Sequence, residues 1–177
     1  MRYGLVGSEM CIRDSNEEHV AELTKIFTKS NCIVVPNFSI SAILLMHLSE
    51  IATPYFSTIE IIEFHHNNKI DAPSGTALAT AEKISQNMTE DLRDPTTDLA
   101  LEGARGAKAQ GNIPIHSVRM EGMLAHQEVI FGTTGQTLTI RQDSSDRSSF
   151  MPGVLLAIKG VPNLTGVNIG LETLMDV

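Results

Sequence analysis

Between Glu60 and Leu78 the chain reads EIIEFHHNNKIDAPSGTAL, which crowds two imidazoles, an ammonium and a Ser-Gly-Thr corner between His65 and Thr76. An imidazole titrates near neutral pH, so His65 or His66 could give or take a proton during a reaction. Lys69 adds a positive charge just beyond them. Pro73 and Ser74 then open a helix, whose first backbone N–H groups have no partner within the helix and attract anions. Those groups fall near Gly75, whose missing side chain lets a ligand approach the backbone, and near Thr76, which adds a hydroxyl. The combination suits holding a small carboxylated molecule and handing it a proton.

Plainer explanations exist for each residue alone. Ser-Gly-Thr before an apolar run is an ordinary helix cap, adjacent histidines at a strand end are often just exposed polar residues, and Asp71 could pair with Lys69. No metal is expected. HHNNKID lacks the His-Glu-x-x-His spacing of zinc proteases, and a lysine beside the imidazoles repels a cation, which disfavours a metal-dependent hydrolase. A serine triad through Ser74 lacks its G-x-S-x-G elbow. The coincidence of groups is what favours function.

The elements around them follow from periodicity. STIEIIEFHH alternates and is β-branched, a strand with Ile61, Glu63 and His65 on one face and Ile62, Phe64 and His66 on the other. Both imidazoles reach one ligand only where that strand ends or bulges. SGTALATAEKISQNM is a helix with Ala77, Ala81, Ile84 and Met88 on its apolar stripe. Upstream, EEHVAELTKIFTK puts Val20, Leu23 and Phe27 on one stripe, and CIVV is a short strand ended by Pro36. NFSISAILLMHLSEIA is a helix capped by Asn37 or Ser39, apolar enough all round to be buried on several sides. Downstream, a long polar loop over 89–112 precedes three strands, IPIHSVRM, HQEVIFGT and QTLTIRQ, the last two joined as a hairpin at Thr134-Gly135. DRSSFMPGVLLAIKGV is a helix, and VNIGLETLMDV a short amphipathic element. The order α-β-α-β-α-loop-β-β-β-α predicts an α/β chain, a mixed β-sheet with helices on one face.

A formal net charge of -8 over 177 residues argues against a nucleic-acid partner. The longest apolar stretch, ISAILLMHL, is too short for a membrane span, and no signal peptide is visible, so a cytoplasmic protein is expected. Cys11 and Cys32 lack metal or redox spacing. YGLVGSEM offers only G-x-x-G where a dinucleotide fingerprint needs G-x-G-x-x-G. Residues 1–15 also resemble translated adapter read-through and are expected to be a non-native leader.

EIIEFHHNNKIDAPSGTA closely resembles the signature of the dihydrodipicolinate reductases, enzymes of lysine (diaminopimelate) biosynthesis. VVPNFSI, IPIHSVRMEGMLAHQEVIFG, GQTLTIRQDSSDRSSFMPGV and GLETLM resemble successive segments of the same family, in order. The resemblance implies reduction of a cyclic imine dicarboxylate with NADH or NADPH, with loss of water. It implies that His65 is the acid/base, Lys69 the proton donor, His66 a substrate contact, and Gly75 with Thr76 the substrate carboxylate cradle. Val35, Pro36, Asn37 and Phe38 match the family's cofactor contact at a domain hinge. Arg141 and Arg147 are expected to make structural salt bridges. Ser41 and Gln142 depart from the family's usual glycine and histidine. The resemblance further implies a remnant of a Rossmann-type dinucleotide-binding domain over 16–38, a substrate-binding and oligomerisation domain over 39–147, and C-terminal elements over 148–177 that pack back on the first. On that division the chain lacks most of the cofactor domain, is inactive by itself, and exposes apolar patches on its first and last helices. The full-length form is expected to be a homotetramer. The competing expectation is a non-redox binding module for small dicarboxylates.

Overall fold

The structure, a computed structural model, describes residues 17–175; the expected leader over 1–15 lies outside them. In chain order the elements are α1 Glu17–Ile26, β1 Cys32–Val34, α2 Ile40–Ala52, β2 Thr58–His65, α3 Gly75–Gln86, β3 Ala107–Lys108, β4 Pro114–Arg119, β5 Ala125–Thr133, β6 Gln136–Ser144, α4 Met151–Gly160 and β7 Val167–Ile169. They form two compact units. Among the described residues, one is 17–38 with 152–175 and the other is Ser39–Met151.

The Ser39–Met151 unit is built on a five-stranded sheet of order β3-β4-β2-β5-β6. β2 runs parallel to β4 and antiparallel to β5, so the sheet is mixed. Its strands alternate as the pattern requires: Ile59, Ile61, Ile115, Val129 and Phe131 point to one face and are buried there. Against them pack Leu45 and Ala52 of α2 and Ala77, Ala81 and Ile84 of α3. The alanines bring α3 close to the sheet. Each Å² of apolar surface removed from water contributes about 25 cal/mol, and that gain drives this layering. β5 and β6 form the expected hairpin, and Gly135 takes a φ of 77° in its turn, where a side chain would be strained.

Across the helix-covered face runs a polar lane. Glu63, Gln127 and Gln142 stand side by side on β2, β5 and β6 and are all buried. Gln127 donates to the Thr80 hydroxyl at 2.7 Å, and Thr80 donates to the Thr76 carbonyl at 2.8 Å. Gln142 accepts from the Ser41 hydroxyl at 3.2 Å. The two positions that depart from the family's usual residues therefore bond to each other.

Several local expectations need correction. α2 is not buried on several sides: Leu48 and Ile51 are 47% and 55% exposed. α2 packs against the sheet and α3, which still leaves part of its apolar surface in water. Ser39, not Asn37, caps it through its hydroxyl, which accepts from the Ala42 amide at 3.3 Å. Met88 lies past the end of α3, though it still packs on the core. The loop over 89–112 contains β3 and a 3-10 turn at Gln110–Asn112. A 3-10 turn, Arg147–Phe150, precedes α4. The tail, expected as a short amphipathic element, is a strand and a turn: β7 pairs in parallel with β1 before a final 3-10 turn.

In the other unit β1 and β7 share a two-stranded ladder, Cys32 opposite Val167 and Val34 opposite Ile169. Val20, Leu23 and Phe27 are half-buried, whereas Ile26 is 72% exposed. Leu155 and Ile158 of α4 are also exposed. Gly153 is where α4 meets the chain: a Cβ there would lie 2.0 Å from the Phe38 carbonyl oxygen. Only glycine permits that approach.

Candidate active site

β2 ends at His65 beside Arg119, the last residue of its parallel neighbour β4. His66 follows outside the ladder, in a turn closed by the Lys69 amide on the His66 carbonyl at 3.1 Å. The strand therefore stops between the two imidazoles, the condition under which both can leave the sheet's alternation. After Asp71 a cis Ala72-Pro73 bond leads into α3. Ser74 caps that helix, its hydroxyl accepting from the Ala77 amide at 3.2 Å.

Glu63 organises this corner. It lies two residues before His65, on the same face of β2, and is fully buried. One carboxylate oxygen, Oε2, takes Nδ1 of His65 and an N–H of Arg119 at 2.9 Å. The other, Oε1, takes a second Arg119 N–H at 2.8 Å and the backbone amide of Ser74 at 3.3 Å. Arg119 also donates to the Asp71 carbonyl at 2.7 Å. Lys69 closes the circuit, its Nζ 2.8 Å from Asp71 Oδ1 and its side chain only 13% exposed. Burial alone would push the Glu63 carboxyl up, but hydrogen bonds from His65, Arg119 and Ser117 outweigh it and hold it at about 2. An ionised carboxylate only accepts, so Nδ1 is the protonated nitrogen of His65 and Nε2 is the one left for another partner.

The structure thus joins His65, Lys69 and the first turn of α3 through one set of hydrogen bonds. Gly75 is exposed, with open space where a side chain would stand, and Thr76 is half-buried beside it. His66 is half-buried. Val35, Asn37 and Phe38 are half-buried and Pro36 exposed, all in the unit of residues 17–38 and 152–175. Arg141 makes the structural ion pairs expected of it, with Glu128 at 2.8 Å and with Asp143 at 3.0 Å, and lies over the Phe64 ring. Among the described residues no group of three or more His, Cys, Asp or Glu side chains could hold a metal ion.

Sequence reasoning passed over Glu63 and Arg119. Glu63 was visible in principle, since glutamate and histidine two apart on a strand share a face. Arg119 was not, because nothing local marks which residue 56 positions away will stand beside Glu63.

Residues 41–177 match the family model described as dihydrodipicolinate reductase, C-terminus. The chain belongs to the dihydrodipicolinate reductase family. It is 51% identical over 163 residues to the 4-hydroxy-tetrahydrodipicolinate reductase of Corynebacterium urealyticum, covering 90% of this chain and 65% of that protein. The enzyme of the same name from Mycolicibacterium smegmatis is 49% identical, with the same coverages. A solved structure, dipicolinate-bound dihydrodipicolinate reductase from Paenisporosarcina sp. TG-14, superimposes with a TM-score of 0.80 at 45% identity, covering 89% of this chain and 60% of that one. The chain therefore spans about two thirds or less of the length of these family members.

Proposed function

We propose that this chain carries the substrate half of a 4-hydroxy-tetrahydrodipicolinate reductase. It would bind the cyclic imine dicarboxylate of lysine (diaminopimelate) biosynthesis and provide the protons for its reduction to tetrahydrodipicolinate with loss of water. The observation that carries this reading is the network in which the Glu63–Arg119 pair holds His65 and the capped start of α3 and, by way of Asp71, Lys69. The similar solved reductase holds dipicolinate, a flat ring with two carboxylates, which is the class of ligand such a corner suits.

In this reading the amide and hydroxyl of Thr76 with the amide of Gly75 hold one substrate carboxylate, helped by the positive end of the α3 dipole. His66 makes a further substrate contact. His65 serves as acid/base through Nε2, which accepts a proton in the neutral ring and gives it up from the imidazolium, and Lys69 as proton donor through Nζ, each close to a compensating carboxylate. Bound NADH or NADPH would supply the hydride. Val35–Phe38 are the residues of this chain assigned to that cofactor. They fit in that Pro36 is exposed and its neighbours only half-buried, which leaves the turn a face for a flat ring. The proton groups would quench the charge that the hydride leaves on the conjugated ring. We further propose a homotetramer assembled through the sheets, in the cytoplasm. No described helix is long and apolar enough to cross a membrane.

Calorimetric titration of the chain with pyridine-2,6-dicarboxylate tests the reading. Saturable binding that collapses for pyridine-2-carboxylate is the expected result, and no binding of either would overturn it. Repeating the titration with NADH or NADPH present tests the cofactor assignment. Affinity raised by the cofactor supports it, and affinity indifferent to it means that Val35–Phe38 do not hold the cofactor by themselves.

A further inference from the structure

In the functional reading above Glu63 enters only as the carboxylate that compensates His65. Yet Glu63 is the most heavily engaged buried ionisable group of the Ser39–Met151 unit. It has no exposed surface, and its two oxygens collect an imidazole, both arms of a guanidinium and a helix-starting amide. Burying a charge is costly, and one buried pair, Glu63 with Arg119, would have sufficed for charge balance. The extra bonds go to the two features that meet the ligand. The bond to His65 sets the ring's tautomer, and the bond to Ser74 sets where α3 begins.

We propose that Glu63 is a positioning residue, a single carboxylate that keeps His65 protonated on Nδ1, with Nε2 available, and ties that imidazole to the N-terminus of α3. This deepens the functional reading above and rests on it for the identity of the ligand. Arg119 holds the carboxylate by both oxygens and reaches on to the Asp71 carbonyl, so the segment carrying Lys69 is tied to the same point. A bidentate pair of this kind fixes direction as well as distance. A purely structural ion pair would need Glu63 and Arg119 but would be indifferent to which nitrogen of His65 bears the proton.

Long-range nitrogen–proton NMR of the 177-residue chain distinguishes the two, because it reports the protonated ring nitrogen of each histidine. The His65 resonances, assigned by their loss in His65→Gln, are expected to show Nδ1–H as the dominant neutral tautomer. In Glu63→Gln, which keeps the shape but loses the anionic acceptor, the tautomers should mix, and pyridine-2,6-dicarboxylate affinity should fall at least about tenfold. Should Glu63→Gln fail to fold by circular dichroism, Glu63→Asp makes the same comparison. It keeps the charge but is one methylene too short to reach both His65 and Ser74. A dominant Nε2–H tautomer in the unmutated protein overturns the inference, as does a folded variant with unchanged tautomer and unchanged affinity. Failure of the unmutated protein to bind the dicarboxylate, with His65 protonated on Nδ1, would strike the functional reading instead and leave the positioning role supported by the tautomer alone.

Discussion

At the scale of single residues the corner is governed by Glu63. Its carboxyl is held at about 2 in the folded chain against an ordinary 4.5. The folded state therefore takes up this proton less readily than the unfolded state. The stabilisation it represents is complete above about pH 4.5 and is lost as pH falls through about 2, on the order of 3 kcal/mol in all. Urea unfolding at a series of pH values should show stability dropping across that window, and Glu63→Gln should flatten the drop. A profile equally steep in the variant would mean that other carboxylates govern it. Asp143, held below its usual range by Arg141 and also bonded to His126, acts in the same direction. Glu63 and His65 were legible as neighbours from strand alternation alone. Their meeting with Arg119 and Asp71 was not, because it depends on which strand lies beside β2.

At the scale of elements, two glycines make opposite predictions. Gly75 opens α3, is exposed and has empty space around the position of a Cβ. Gly75→Ala should leave the thermal midpoint unchanged or slightly raised, because alanine is the better helix former. It should still weaken dicarboxylate binding by roughly tenfold, since the added methyl occupies the approach to the backbone. Gly153 is buried, and the atom its Cβ would strike belongs to the backbone of Phe38, which cannot swing aside. Gly153→Ala should therefore cost about 1–3 kcal/mol of stability, read by urea denaturation. A neutral result there would mean that α4 can shift away from the Val35–Phe38 turn. The helices themselves were readable because their signals are local: Ser74 at the start of α3, Ser39 as one of two candidate caps of α2, and Ala77, Ala81 and Ile84 on one stripe. The burial of α2 was overread, since composition reports how apolar a helix is but not how many neighbours it meets.

At the scale of the whole molecule the notable quantity is apolar surface left in water. In the unit of residues 17–38 and 152–175, Ile26, Leu155, Ile158 and Ile169 are each about half exposed or more. In the other unit both helices lie on one face of the sheet, and the opposite face offers half-buried Ile62, Phe64, Val118 and Ile130 among ion pairs. Surfaces of this kind favour association. Sedimentation equilibrium should show concentration-dependent self-association. Ile130→Glu should weaken it if the sheet face is responsible, and Ile158→Gln if α4 is. A monodisperse monomer at high concentration would count against the proposed tetramer.

The amino-acid sequence by itself determined the strand alternation that puts Glu63 and His65 on one side, the serine that starts α3, and the hairpin turn at Gly135. Each of these depends on backbone preferences expressed within a few residues. Tertiary structure alone decided that β7 would pair with β1, that Ser41 would meet Gln142, and that Arg119 would bind Glu63 from 56 positions away. Those partners are chosen by sheet order and register and by where α2 packs on the sheet. The burial of whole faces selects that order, and no short stretch of chain encodes it.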